Sequence, residues 1–205
     1  REIKRLVASD AAATEPSMPH GNSASRAPHS AINPLAHQVH DYLHLAAALG
    51  ANPQPVAPLL RVGEDEVAAA KGRFGLEREP RPLLALNPGA EYGPAKRWPA
   101  ERFVAAAREI QRRTGCVWLI VGGPAETALA GEIASGVGAP ESAARNLAGR
   151  TSLRELMALL AGVRVLLTND TGPMHVAAAL GTPVVALFGS TSPELTAPGL
   201  PGDPH

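Results

Sequence analysis

Four apolar runs between residue 83 and residue 188 each end in a loop that contains glycine, and this repeated arrangement restricts the fold more than any other feature of the sequence. The runs lie at residues 83–86, 117–121, 163–168 and 183–188. Because they are continuously apolar rather than alternating with polar residues, they are typical of strands in a parallel sheet that is buried on both faces. The pattern predicts an α/β domain of Rossmann-like type, with helices on both faces of the sheet.

Segments with helical spacing of apolar residues separate and precede these strands. The predicted helices span residues 37–49, 64–74, 99–114, 125–135, 153–161 and 173–180, and a further short strand is predicted at residues 144–147. Only 3% of the residues are aromatic, so small aliphatic side chains must build the core. That composition suits helices packed closely on a sheet.

The first part of the chain has a different character. Residues 8–34 are rich in Ala, Ser, Pro, Asn and His without sustained periodicity, which predicts a flexible linker or insertion. We therefore expect three segments: a remnant of a preceding domain plus linker at 1–34, a helical lead-in at 35–80, and the sheet domain at 81–205. The chain starts without Met, and we interpret it as a fragment that is incomplete at its C-terminus.

Charge and cysteine content narrow the class of protein. Nineteen basic residues balance nineteen acidic ones, so bulk charge does not favour a nucleic-acid partner. The single cysteine, Cys116, cannot form an internal disulfide, which fits a reducing cytosol. No apolar stretch approaches the roughly 20 residues of a membrane span, and no signal peptide is recognisable. We expect a cytoplasmic protein.

The loop after the third strong run carries the clearest candidate site. Pro173 suits the first position of the following helix, so the amides near Thr171 and Gly172 can face an anion. Asp170 would repel phosphate but can accept hydrogen bonds from sugar hydroxyls, and His175 lies in the first helical turn. The alternative is that Asp170 and Thr171 only cap the helix.

A second candidate, Lys96 with Arg97, lies in the long loop after the first strong run. Such cations can neutralise a diphosphate, and Arg97 offers a planar fork for it. The alternative is a solvated pair on a surface loop. Ligands of open α/β sheets bind outside the carboxyl ends of the strands. Both candidates follow a predicted strand, so both fall on the edge where a ligand is expected.

Several common site motifs are absent from the sequence. It has no P-loop, no dinucleotide-binding glycine fingerprint, and no Asp-x-Asp pair for Mg²⁺, so cations and amides alone would handle a diphosphate. His37, His40 and His44 share helical spacing, but only Asp41 is near to complete a ligand set. We predict neither a metal site nor a cofactor, and we interpret Trp98 and Trp118 as packing residues first.

Four motifs between residue 87 and residue 193 resemble one enzyme family. Residues 87–99 (NPGAEYGPAKRWP) and 169–183 (NDTGPMHVAAALGTP) resemble the two signatures of lipopolysaccharide heptosyltransferases, and residues 145–149 and 188–193 resemble shorter ones. The similarity covers roughly residues 80–198, is greatest to the heptosyltransferase II branch, and extends to the helix at 37–50. Two long motifs in the right order make a specific signal.

The resemblance implies a two-domain GT-B glycosyltransferase whose C-terminal domain, here 81–205, binds ADP-heptose and inverts the anomeric centre without a metal. Lys96, assisted by Arg97, would neutralise the diphosphate, and the amides near Thr171 and Gly172 would hold phosphate oxygens. The resemblance further assigns Asp170 and His175 to the sugar nucleotide and Glu126 to ribose hydroxyls. The catalytic base belongs to the family's N-terminal domain, which is almost entirely missing, so no catalytic residue is assigned.

The resemblance also implies the acceptor and the setting. The acceptor would be the lipopolysaccharide inner core, heptosyl-Kdo-lipid A. The enzyme would be a cytoplasmic monomer, and peripheral contact with the inner membrane is compatible with this expectation. By itself this chain is expected to bind donor without transferring heptose. Two alternatives stay open: another GT-B glycosyltransferase that uses a UDP- or GDP-sugar, and a non-catalytic nucleotide-binding fragment.

Overall fold

The fold is that of a computed structural model, which describes residues 37–90, 94–138 and 143–198. The linker predicted at residues 8–34 lies outside the described residues. All predicted strands and helices within the described ranges are present, together with a short unpredicted helix, α7, and two 3₁₀ turns at Pro94–Lys96 and Pro124–Glu126. The helices are α1 (Val39–Ala48), α2 (Glu64–Arg73), α3 (Ala100–Thr114), α4 (Thr127–Val137), α5 (Leu153–Ala161), α6 (Gly172–Ala179) and α7 (Pro193–Thr196). The strands are β1 (Leu83–Asn87), β2 (Val117–Ile120), β3 (Ala144–Asn146), β4 (Leu166–Asn169) and β5 (Val184–Leu187).

The five strands form one parallel sheet in the order β3-β2-β1-β4-β5. Leu86 of β1 pairs with Ile120 of β2 on one side and with Leu167 of β4 on the other. The chain builds outward from β1 in one direction through β2 and β3, then returns to the other side of β1 for β4 and β5. The order therefore reverses between β1 and β4, and a crevice at such a reversal is where open α/β sheets bind ligands.

Side chains of β1 alternate between two apolar cores. Leu83 and Ala85 pack into the core covered by α2, α5 and α6, whereas Leu84 and Leu86 pack into the core covered by α3 and α4. This alternation follows from the two-residue period of a strand. Helices on both faces and the Rossmann-like α/β class are thus confirmed.

The edge strand β5 departs from the expected coverage. Its residues are only half-buried, and the side chain of Val185 is 52% exposed. The expectation that all four apolar runs are covered on both faces is therefore wrong for this run. As the outermost strand, β5 pairs only with β4, and the described residues leave part of it open to solvent.

Helix α1 has the predicted position but contributes no buried residue to the described structure. Leu49 at its end is 90% exposed. Its start is held by a hydrogen bond from the Gln38 amide to the Leu195 carbonyl at 3.0 Å. The ring of His37 also lies 2.9 Å from the carbonyl oxygen of Ala197. α1 is thus anchored at one end.

Tryptophan packing agrees with the prediction. Trp118 is fully buried, and its indole N–H donates to the Ala107 carbonyl at 3.1 Å. Trp98 packs edge-to-face on Phe103 with ring centroids 5.1 Å apart. In the described part of the chain, no helix has the length and apolar character needed to cross a membrane.

Candidate functional site

Buried polar residues concentrate where the strand order reverses. The described residues include five buried polar or charged ones, and four of these lie at the carboxyl ends of β1 and β4: Asn87, Thr168, Asn169 and Asp170. Buried polar groups carry a free-energy cost unless they are hydrogen-bonded, so a cluster of them needs specific partners. The partners come from the loops that meet at this point, and we call the cluster with its partners Lys96 and Thr191 the switch-point site.

Asn169 ties the loop after β4 to the loop after β1. Its side-chain N–H₂ donates to the Pro88 carbonyl at 2.8 Å and to the Gly89 carbonyl at 3.3 Å. Its side-chain oxygen accepts from the Trp98 amide at 3.0 Å. One fully buried amide therefore fixes both ends of the loop that carries Lys96.

Lys96 and Asp170 form an ion pair across the same two loops. The Lys96 Nζ donates to Asp170 Oδ2 at 2.8 Å, with side-chain exposures of 22% and 6%. The Thr191 hydroxyl, from the loop after β5, donates to the same oxygen at 2.7 Å. The prediction that both residues lie at one sheet edge is confirmed, and the reversal of strand order brings them into direct contact.

The environment of Asp170 favours its ionised form. Burial would raise the pKa of Asp170, but the hydrogen bonds from Lys96 and Thr191 and the charge of Lys96 outweigh this effect. A smaller lowering of the Asp170 pKa comes from His175, which is protonated in the acid range where Asp170 titrates. The pKa of Asp170 is therefore lowered, and the group is a carboxylate at neutral pH.

Helix α6 begins at this site with an open first turn. Thr171 occupies the cap position in extended conformation, and in the described structure its side chain forms no capping hydrogen bond. A Cβ added at Gly172 would meet no described atom within 4 Å. Capping by Asp170 and Thr171 is thus not what these side chains do, and the partial positive charge of the helix start remains available to an anion.

His175 lies in the first turn of α6 and is exposed to solvent. Desolvation by nearby protein atoms nevertheless lowers the pKa of His175, while the charge of Asp170 acts to raise it and that of His37 to lower it. The imidazole is therefore neutral at neutral pH and can donate or accept a hydrogen bond with an uncharged ligand group.

Arg97 is used differently from its neighbour Lys96. Its guanidinium Nε and Nη2 donate to the Ala90 carbonyl at 3.2 and 3.0 Å. The guanidinium thus braces the beginning of the loop that carries Lys96. Residues 91–93 of the motif lie outside the described residues.

Glu126 lies at the neighbouring corner of the sheet edge, after β2. Its carboxylate accepts a hydrogen bond from the Gly123 amide at 2.6 Å. A Cβ added at Gly89 would be 1.4 Å from Glu126 Oε1, and one at Gly122 would be 2.5 Å from Oε2. The carboxylate therefore occupies space that only glycines leave free, against the backbone of two strand-end loops. We call Gly89, Gly122 and Glu126 the β2 corner.

Asn87 retains one unused acceptor. Its N–H₂ lies 3.4 Å from the Thr168 hydroxyl, and among the described residues its Oδ1 is the buried side-chain atom without a partner. Such an atom can accept a hydrogen bond from a bound water or ligand.

Four members of the switch-point site were not predicted from the sequence: Asn87, Thr168, Asn169 and Thr191. All four stand in stretches that were noticed, at or directly after the end of a strand run or within a glycine loop. A polar residue that closes an apolar run was the available signal for Asn169. The carboxylate partner of Thr191 depends on strand order, which the sequence pattern does not specify.

His37, His40 and His44 form no metal-binding group: within the described ranges there is no set of three His, Cys, Asp or Glu side chains that could hold a metal ion.

Comparison with known proteins gives a consistent result. A family model described as glycosyltransferase family 9 (heptosyltransferase) matches residues 14–201. Over 148 residues the chain is 40% identical to lipopolysaccharide heptosyltransferase 2 of Salmonella typhimurium, covering 71% of this chain and 42% of that relative. The chain thus spans less than half the length of this curated relative.

Solved structures show the same similarity. The fold matches the ADP-heptose LPS heptosyltransferase II of E. coli with a TM-score of 0.67 and 38% identity, over 72% of this chain and 44% of that one. It also matches a glycosyltransferase family 9 protein from Veillonella parvula with a TM-score of 0.67 and 28% identity, over 80% of this chain and 47% of that one.

Proposed function

The chain belongs to glycosyltransferase family 9, the heptosyltransferases, and we propose that it forms the nucleotide-sugar-binding half of a GT-B enzyme that transfers heptose from ADP-heptose to the lipopolysaccharide inner core. The observation that carries the proposal is the convergence of the Lys96 ammonium with the uncapped start of α6 at the reversal of strand order. A cation beside free helix amides is suited to a diphosphate.

The donor would lie along the sheet edge from the switch-point site to the β2 corner. Lys96 and the amides near Thr171 and Gly172 would hold the diphosphate. Asp170 has its Oδ1 free of hydrogen bonds from the described residues and can accept one from a sugar hydroxyl. Glu126 and His175 would address ribose hydroxyls and the remaining polar groups of the donor, while Arg97 supports the loop.

The proposed reaction needs charge stabilisation from this chain. The acceptor hydroxyl attacks the anomeric carbon from the face opposite the diphosphate, the carbon–oxygen bond to the diphosphate breaks, and ADP leaves with the electron pair. Lys96 would stabilise the growing negative charge on the departing ADP. A base outside residues 81–205 would take the acceptor proton.

We propose that this transfer is metal-independent, because Lys96 and the α6 amides already supply positive charge to the diphosphate. Donor binding should then be unchanged by EDTA. A loss of ADP affinity on chelation, restored by Mg²⁺, would contradict this part of the proposal.

The remaining proposals concern the setting of the enzyme. The acceptor would be heptosyl-Kdo-lipid A, and the enzyme would work as a monomer at the cytoplasmic face of the inner membrane. Residues 35–80 would lead from the preceding domain into the nucleotide-sugar domain at 81–205.

Calorimetric titration with ADP, UDP and GDP tests the proposed donor. We expect selective binding of ADP, weakened at least about tenfold in Lys96→Ala, since a hydrogen bond to a charged group contributes about 1.5–3 kcal/mol. Lys71→Ala, which removes a half-buried lysine from α2, is the matched control and should leave affinity unchanged. Preference for UDP or GDP would indicate another glycosyltransferase, and a folded chain that binds none of the three would contradict a donor site.

A further inference from the structure

The two carboxylate oxygens of Asp170 are used unequally. Oδ2 accepts one hydrogen bond from Lys96 at 2.8 Å and a second from Thr191 at 2.7 Å. Oδ1 accepts no hydrogen bond from the described residues. Because it is also absent from their buried unpartnered side-chain atoms, Oδ1 is accessible to solvent. One oxygen is therefore held by the protein, while the other is left for solvent or a ligand.

The two donors reach Asp170 from different loops. Lys96 follows β1, whereas Thr191 follows β5. The two loops are in close contact, because a Cβ added at Gly189 would lie 3.3 Å from the Ala95 carbonyl oxygen. The Asp170 amide also donates to the carbonyl of Leu187, the last residue of β5, at 3.2 Å. The backbone and the side chain of Asp170 are both fixed by the β5 side.

We propose that Thr191 is a positioning residue of the donor site, whose hydroxyl holds Asp170 Oδ2 so that Oδ1 stays directed to a sugar hydroxyl after a diphosphate draws the Lys96 ammonium away. The identity of the ligand rests on the function proposed above, whereas the Thr191–Asp170 hydrogen bond is present without it.

The chemistry of the two donors explains why both are needed. The Lys96 ammonium is a compact charge on a flexible stem, and a diphosphate competes for it with the single charge of Asp170. The Thr191 hydroxyl is neutral and short, so a diphosphate does not compete for it in the same way. With Thr191 in place, the buried Oδ2 keeps a donor when Lys96 turns to the ligand, and the carboxylate does not have to rotate to find another.

NMR titration of the Asp170 carboxyl in the ligand-free chain tests the contact directly. Thr191→Val keeps the size of the side chain but removes the donor, so the pKa of Asp170 should rise. Thr191→Ser keeps the hydroxyl and should restore the wild-type pKa. Thr196→Val in α7 is the matched control, because the Thr196 hydroxyl donates to the Ser192 carbonyl instead. An Asp170 pKa in Thr191→Val equal to the wild-type value would overturn the proposal.

Titration with ADP and with ADP-heptose tests the positioning. In Thr191→Val we expect affinity for ADP-heptose to fall roughly two- to tenfold, the scale of one hydrogen bond, with a smaller change for ADP and recovery in Thr191→Ser. Equal losses for both ligands, or no recovery in Thr191→Ser, would overturn it. If the wild-type chain bound no ADP, the proposed function would fail, while the NMR titration would still decide whether Thr191 holds Asp170.

Discussion

Two carboxylates on the same sheet edge are held in contrasting ways. At the switch-point site, Asp170 accepts hydrogen bonds from Lys96 and Thr191, which belong to two other loops. At the β2 corner, Glu126 accepts its hydrogen bond from Gly123, three residues earlier in its own turn. A bond between loops fixes their mutual arrangement, whereas a bond within one turn fixes only that turn. We therefore expect the switch-point site, at the diphosphate end of the proposed donor site, to be more rigid than the β2 corner at the ribose end.

This contrast extends to the residues that support each corner. The switch-point site contains the fully buried Asn169, whose amide bonds to backbone on both sides of the Lys96 loop. The β2 corner depends instead on space, because Gly89 and Gly122 leave room for the Glu126 carboxylate. Substitutions in the switch-point site should therefore lower the free energy of unfolding, whereas substitutions in the β2 corner should mainly lower the affinity for the ligand.

The largest expected effect comes from Asn169→Ala. The change leaves the Trp98 amide and the Pro88 carbonyl without partners, which should lower the free energy of unfolding by about 2–4 kcal/mol. Chemical denaturation followed by circular dichroism measures it. Asn146→Ala at the edge strand β3 is the matched control: this half-buried asparagine also bonds two backbone groups, at 3.0 Å each. The loss of unfolding free energy in Asn146→Ala should be smaller, about 1 kcal/mol. Equal losses in the two variants would contradict a more rigid structure at the switch-point site.

A smaller effect is expected for Asp170→Asn, and it should depend on pH. The folded-state pKa of Asp170 is below the ordinary value of 3.8. The ionised form of Asp170 therefore stabilises the fold at pH values above its ordinary pKa, and this contribution is lost as the pH falls through the folded-state pKa. The free energies of unfolding of the wild-type chain and the variant should differ most near neutral pH and converge in acid. A difference that is the same at every pH would show that the ion pair with Lys96 does not stabilise the fold.

The smallest effect on stability is expected for Gly89→Ala. The added Cβ would displace Glu126 Oε1, the far end of a flexible side chain, so the free energy of unfolding should fall by less than about 1 kcal/mol. Affinity for ADP should fall as much as in Glu126→Ala, because both changes remove the carboxylate from the site. Gly72→Ala in α2, where a Cβ meets open space, should raise stability by roughly 0.5–1 kcal/mol through helix propensity. Unchanged ADP affinity in Gly89→Ala would remove Glu126 from the proposed site.

The sequence was informative where local pattern decides structure. Continuous apolar runs located β1, β2 and β4, and helical spacing located the helices between them. The coincidence of Lys96 and Asp170 at one edge followed because the carboxyl ends of parallel strands share that edge.

What the sequence did not specify depends on strand order. Lys96 and Asp170 are 74 residues apart, and they touch because β4 lies beside β1 rather than beyond β3. The same order places Thr191 on Asp170 and leaves Val185 partly exposed on the outer strand. Arg97 also differs from expectation, since its guanidinium contacts a backbone carbonyl while Lys96 holds the carboxylate. Such choices among polar partners are made by tertiary geometry, which neither periodicity nor residue type encodes.

A crystal structure of the chain with ADP would show whether this sheet edge is the donor site. We expect a diphosphate within hydrogen-bond distance of Lys96 Nζ and the amides of Thr171 and Gly172, with the ribose beside Glu126 and the Asp170–Thr191 hydrogen bond retained. A diphosphate bound elsewhere, with the Lys96–Asp170 ion pair undisturbed, would contradict the assignment of this sheet edge as the donor site.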